Sequence, residues 1–292
     1  MKEQLCWLNG NVVPLKEAKI GVLDLGVLRG FGIYEGITAF RGEPFHFDAH
    51  WERFERSAKP LGLTLPYSSG EVLEAMRELI KRNTDGSPST KSNLVLGERA
   101  NIRMILTGGE AEGGIEHVPG RETLYITAEE FAPLPEVLYE RGGHLIQHDH
   151  LRFMPEAKTI GYITAVTLQD KRKADGAVEI LYTSGERVLE CATSNIFIVK
   201  DSAVITPDAG VLKGITRNVT IELARGAYQV EERPVMLAEL FAADEAFITS
   251  SFKDIVPIVS IGAHTIGSGE PGAVTRDLMA RFAAHTQSQP AV

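Results

Sequence analysis

Two prolines set one residue apart, Pro133 and Pro135, interrupt a chain in which short apolar runs otherwise alternate with amphipathic stretches. Proline fixes φ and offers no amide donor, so the stretch EEFAPLPEV continues neither a helix nor a central strand and reads as an extended link. The expected organisation is an α+β protein of two subdomains, each with a sheet and helices. A small N-terminal domain covers residues 1–128, a linker 129–137 and a larger domain 138–292. A hydrophobic fraction of 43% is enough for two cores, whereas no apolar run approaches the roughly 20 residues of a membrane helix.

Charge narrows the partners. With 30 basic against 39 acidic side chains the net charge is −9, which disfavours a nucleic-acid backbone but leaves room for a local anion pocket. Cys6 and Cys191 make neither a disulfide framework nor a metal cluster, and the start MKEQLCWLNG lacks the pattern of a signal peptide. A reduced, cytoplasmic protein is expected, with no membrane partner and no metal. His144, His148 and His150 read as structural or solvent-facing.

In the first half, strands are expected at 6–9 and 11–13 around a Gly10 hairpin, then at 33–40, 101–107 and 123–128. Asp48 is placed to cap a helix whose apolar side holds Trp51, Phe54, Ala58 and Leu61, and a second helix covers 69–82. Residues 83–97 are rich in turn formers and read as an exposed connection. In the second half, strands are expected at 144–150, 178–183, 196–199, 203–205 and 246–249. Helices are expected at 161–174, 216–227 and 275–285, with 285–292 a frayed tail.

Three places carry possible chemistry. KGITR at 213–217 opens an amphipathic helix; Thr216 can cap it, and the amides there suit a phosphate, although an ordinary cap accounts for the same residues. Arg53 and the hydroxyls of Thr249, Ser250 and Ser251 can add phosphate contacts. Lys158, just before a helix, is either a surface charge or, if desolvated, a Schiff-base nucleophile. Glu190 precedes a buried-looking strand, where a carboxylate is either a solvated turn residue or needs a positive partner.

Taken together, YEG at 34–36, HWERF at 50–54, Lys158, ECATSNIF at 190–197, LKGITR at 212–217 and DEAFITSS at 244–251 stand in one order. This constellation resembles the class IV, fold-type IV pyridoxal-phosphate aminotransferases. That family includes branched-chain and D-amino-acid aminotransferases, some R-selective amine transaminases and aminodeoxychorismate lyases. The resemblance implies that Lys158 carries pyridoxal 5'-phosphate as a Schiff base and that Glu190 faces the pyridine nitrogen. It also assigns Arg53, the backbone of Ile215 and Thr216, and Ser251 to the phosphate, and puts Leu212 under the ring. Tyr34 matches an active-site tyrosine, with Gly36 and Thr38 on its face of the strand. The activity implied is ping-pong transamination between amino acid and keto acid substrates by a homodimer with shared active sites.

The carboxylate pocket departs from its relatives. TGGEAEGGIEHV offers no R-x-H pair of the D-amino-acid type, and residues 101–103 read Asn-Ile-Arg, keeping Arg103 of the branched-chain Y-I-R but losing its tyrosine. Arg29 stands where relatives carry an aromatic residue, and Arg187 lies on the turn leading to Glu190. Each of Arg29, Arg103 and Arg187 is a pocket candidate or an exposed charge. The expectation is a D-amino-acid transaminase with an altered carboxylate trap, with R-amines as a further donor class. A branched-chain L-amino-acid aminotransferase and an aminodeoxychorismate lyase-like enzyme are the alternatives.

Overall fold

A computed structural model describes residues 3–84 and 99–288. The connection expected over 83–97 lies outside them except for its first two residues, as does the end of the expected tail. The chain divides into two compact units. The first runs to Ala132 and takes back Ala157–Gly161, and the second holds Pro133–Glu156 and the chain from Tyr162 onward.

The first unit contains β1 (Leu5–Leu8), β2 (Asn11–Pro14), α1 (Leu25–Arg29), β3 (Gly32–Phe40), β4 (Glu43–Pro44), α2 (Phe47–Ala58), α3 (Ser69–Asn83), β5 (Arg99–Thr107) and β6 (Thr123–Glu130). Its strands form an antiparallel sheet ordered β2-β1-β6-β5-β3-β4. Strand alternation sends Ile33, Ile37, Ile102, Met104, Leu106, Leu124 and Ile126 to one face. There they meet Phe54 of α2 and Met76 and Leu79 of α3 in a single core. Helix α3 starts as its sequence dictates, with Ser68 and Glu71 forming a reciprocal capping box. Helix α2 does not: Asp48 sits inside the first turn, and the cap position falls on His46 in a left-handed conformation with φ 48°. The Asp48 carboxylate there still complements the positive end of the helix. The segment around Arg29, unassigned by periodicity, is a short helix that Asp24 caps through the Gly26 amide at 2.7 Å.

The second unit contains α4 (Glu136–Arg141), β7 (Gly143–Asp149), α5 (Ile163–Thr167), α6 (Gln169–Ala174), β8 (Glu179–Ser184), β9 (Arg187–Cys191), β10 (Asn195–Lys200) and β11 (Ala203–Thr206). It continues with α7 (Ile215–Arg225), β12 (Val230–Glu232), β13 (Val235–Met236), α8 (Leu237–Phe241), β14 (Glu245–Ser250), β15 (Asp254–Ile261), β16 (His264–Thr265) and α9 (Ala273–Gln287). The sheet order is β12-β11-β10-β14-β15-β7-β8-β9-β13, with β16 on β15. The single helix expected over 161–174 is two, broken at Leu168; four β-branched residues at 163, 164, 166 and 167 weaken its first half. Helix α4 begins immediately after Pro135, so the extended link is shorter than 129–137. Proline tolerated at a helix start explains the difference. At the centre, Phe197 and Phe247 lie directly opposite on β10 and β14 and stack with centroids 4.8 Å apart. No helix among the described residues is long and apolar enough to cross a membrane.

Candidate active site

In the first unit the same alternation that builds the core places Glu35 between Ile33 and Ile37, a charge on an apolar face. Helix α2 answers it with residues one turn apart. Arg53 donates through Nε to Glu35 Oε1 at 2.8 Å and through Nη2 to Oε2 at 2.6 Å, and His50 Nδ1 lies 2.7 Å from Oε2. Burial pushes the Glu35 carboxyl up, but Arg53 and His50 outweigh it and hold the group at about 2. Burial, with help from Arg53 and Lys158, lowers His50 below its usual range, so the imidazole is neutral and donates to the carboxylate.

The neighbouring strand residue, Tyr34, points to the other face. Its amide donates to the Lys158 carbonyl at 2.9 Å, Ile160 N donates to Gly32 O at 3.1 Å, and Ile33 bridges Thr159, so the returning segment adds a short strand to the start of β3. Lys158 N also donates to Ser57 Oγ at 3.0 Å, one turn beyond Arg53 on α2. This frame holds the Lys158 ammonium 4.3 Å from the centre of the Tyr34 ring. Sequence reading thus named Lys158, Tyr34 and Arg53 but missed Glu35, whose signal was a carboxylate in the apolar phase of an alternating strand.

In the second unit Glu190 lies on β9, a strand with one extra residue. Leu181 pairs with Cys191 but Thr183 pairs with Val188, so two steps on β8 face three on β9. The bulge lets Val188 and Cys191, three residues apart, both enter one core cluster. Glu190 is 5% exposed and accepts from Arg152 Nε at 2.7 Å and from the Leu212 amide at 3.0 Å. Arg152, also missed from sequence, stands six residues before Lys158; its Nη2 completes the pair with Glu190 at 2.6 Å.

Leu212 leads into α7, and here the expectation for Thr216 is corrected. The cap position is Gly214, with no capping side chain, and Thr216 is the second residue of the helix, 4% exposed. A side chain at Gly214 would meet Asn195 Oδ1 at 2.2 Å, because the Asn195 amide reaches past it to Leu212 O at 2.7 Å. The first turn of α7 therefore keeps its amides for another acceptor. Across β10 and β14, Thr249 stands opposite Asn195 with Oγ1 buried and without a hydrogen-bond partner among the described residues. Ser251 begins the turn after β14, which Lys253 anchors through Glu179 at 2.8 Å. A glycine-lined helix start, an orphaned buried hydroxyl and a serine turn suit a phosphate ester.

The three candidate arginines are placed differently. Arg29 is exposed at the end of α1, Nη1 donating to its neighbour Leu28 O at 2.8 Å. Arg103, opposite Gly36, is bonded to Glu129 of the adjacent strand. Arg187 is exposed at the β8–β9 hairpin.

Residues 32–261 match the family described as Amino-transferase class IV. The chain is a class IV aminotransferase. A putative branched-chain-amino-acid aminotransferase of Methanocaldococcus jannaschii is 32% identical over 94% of both chains. The D-alanine aminotransferase of Listeria monocytogenes is 27% identical over 94% of this chain and 93% of its own. Among solved structures, a branched-chain amino acid aminotransferase from T.th. with pyridoxamine 5'-phosphate superposes with TM-score 0.86 at 28% identity, covering 99% of this chain and 96% of that one. The expected fold type and the pyridoxal-phosphate dependence both hold for this aminotransferase.

Proposed function

We propose that this aminotransferase moves an amino group between a D-amino acid and an α-keto acid by a ping-pong mechanism, with R-amines as a further donor class. When bound, pyridoxal phosphate supplies an aldehyde that takes the amino group and a ring that accepts the electron pair left at the substrate Cα. Lys158 Nζ binds that cofactor covalently and then moves the proton at the substrate Cα. Glu190, oriented by Arg152, holds a proton at the pyridine nitrogen. Arg53, the first amides of α7 at Ile215 and Thr216, and Ser251 hold the phosphate, while Leu212 supports the ring. Tyr34 and Gly36 line the substrate side.

The D-amino-acid reading rests on Arg29, whose exposed guanidinium has the geometry to take a carboxylate in bidentate fashion, in a chain that lacks the R-x-H pair. Arg103 and Arg187 are the further carboxylate candidates. The likeness to D-alanine aminotransferases supports the same reading. A branched-chain L-amino-acid specificity is favoured instead by the retained Arg103 and by the branched-chain relatives.

Half-reaction rates, followed by the cofactor absorbance, decide between them. D-alanine or D-glutamate reacting faster than L-leucine and R-1-phenylethylamine supports the proposal. L-leucine reacting fastest replaces it with the branched-chain reading. Pyruvate released from a substrate without any keto acceptor points to the lyase-like alternative.

The proposal includes a cytoplasmic homodimer with shared sites. Leu151, Phe153, Ile163 and Val166 of the second unit are 52%, 83%, 79% and 67% exposed, more apolar surface than water alone favours. Light scattering of the holoenzyme at the monomer mass would remove the homodimer.

A further inference from the structure

One polar side chain of β5 has no role in the chemistry above. Asn101 is 6% exposed, and its Oδ1 is buried with no hydrogen-bond partner among the described residues. Buried amides are normally satisfied, and one left open inside an enzyme asks for a ligand. The register sets Asn101 directly opposite Thr38 of β3 and Glu129 of β6, on the face that carries Tyr34 and Gly36 rather than the core face. Lys158 Nζ reaches that same face at the Tyr34 ring, 4.3 Å from its centre.

Tyr34 and Thr38 are four residues apart on β3, roughly 13 Å of strand. Asn101 therefore lies further along the same face than Tyr34, past the Gly36–Arg103 pair. The cations beside it are engaged: Arg103 bonds Glu129, and the Arg99 guanidinium lies 4.6 Å and 3.7 Å from the Phe40 and Phe131 rings. What this part of the face offers is an amide, whose oxygen accepts and whose NH2 donates a hydrogen bond. A hydroxyl or carboxamide can give Oδ1 the hydrogen it lacks. A methyl group cannot, and neither can a carboxylate.

We propose that Asn101 is a specificity-determining residue that hydrogen-bonds the end of the substrate side chain, selecting donors that end in a hydroxyl or carboxamide over isosteric alkyl donors. This rests on the aminotransferase reading of the Lys158 face. The test uses holoenzyme and two matched pairs, homoserine against norvaline and 5-hydroxynorvaline against norleucine, in the enantiomer the enzyme turns over.

At least one pair should show a kcat/KM preference for the hydroxyl member of roughly fivefold to tenfold. Asn101→Leu should bring that ratio to one or below, and Asn101→Ser should keep part of it. A purely structural role would change both members of a pair equally. Equal rates within both pairs in the native enzyme overturn the proposal, as does a preference that survives in Asn101→Leu. If Asn101→Leu does not retain cofactor, Asn101→Ala takes its place in the same comparison. An enzyme that transaminates other amines but none of these four also overturns it. Holoenzyme that transaminates nothing overturns the underlying reading instead.

Discussion

Glu35 and Glu190 are both buried carboxylates paired with an arginine, yet the two units hold them differently. Glu35 is gripped across both oxygens by Arg53 and receives His50 as well, on the face that packs against α2. In Glu190 both Arg152 contacts fall on Oε1, and Oε2 takes a backbone amide from the segment that starts α7. The first arrangement joins a helix to a sheet; the second orients a carboxylate beside a helix terminus. An arginine–carboxylate pair is thus no guide to role until its elements are known.

The largest effect separating the two should come from Glu35→Ala. It removes the buried carboxylate that Arg53 and His50 share, and should cost roughly 3–5 kcal/mol in chemical denaturation of the holoenzyme. Glu190→Gln, of equal size and still able to accept from Arg152 and the Leu212 amide, should instead lower kcat by about 10²-fold or more with a smaller loss of stability than Glu35→Ala, as stopped-flow and calorimetry would show. A large loss of stability with little change in rate would reverse the assignment of the two acids.

Acid should act on both units, through Glu35 in the first and through the buried Glu179, held below its ordinary range by Lys253, in the second. Glu35 is depressed from its ordinary 4.5 to about 2, so its stabilisation is present above 4.5 and is lost as pH falls toward 2. Its full size is roughly 3 kcal/mol. His50 is lowered too and works in the same direction, its share beginning to fall away below 6.5. Acid titration of stability should be shallower in Glu35→Gln, the remaining slope coming from Glu179 and the other lowered carboxylates. The smallest contrast lies among the exposed arginines. Arg29→Ala should raise KM for D-alanine about tenfold, and Arg187→Ala less than about threefold. Equal effects would remove Arg29 from the pocket.

Much of the fold was legible because it follows periodicity. The strands at Gly32–Phe40 and Thr123–Glu130 and the helices at Phe47–Ala58 and Ser69–Asn83 stand where alternation and helical spacing put them, although the cap of the first helix falls on His46 rather than Asp48. Strand β9 was not readable, since its four consecutive buried residues and its bulge erase the alternation that would announce it. Thr216 looked like a cap because the sequence shows a hydroxyl before an apolar stripe; it does not show Asn195, twenty-one residues away, filling the space at Gly214. Arg152 and Glu35 were missed for a related reason. Each is defined by a partner brought in by tertiary structure, although Glu35 left a trace in its apolar phase.

The short stretch around Lys158 is claimed by the first unit but reached only after the chain has begun the second. Cutting the gene at the boundary near Ala132 would therefore not yield a self-sufficient N-terminal piece. Such a fragment would lack the amide and carbonyl that pair with Gly32 and Tyr34, leaving the beginning of β3 open to association with other chains. Ribosomal synthesis faces the same order of events: the sheet emerges well before its last short strand, so this edge can close only after the intervening residues have been made.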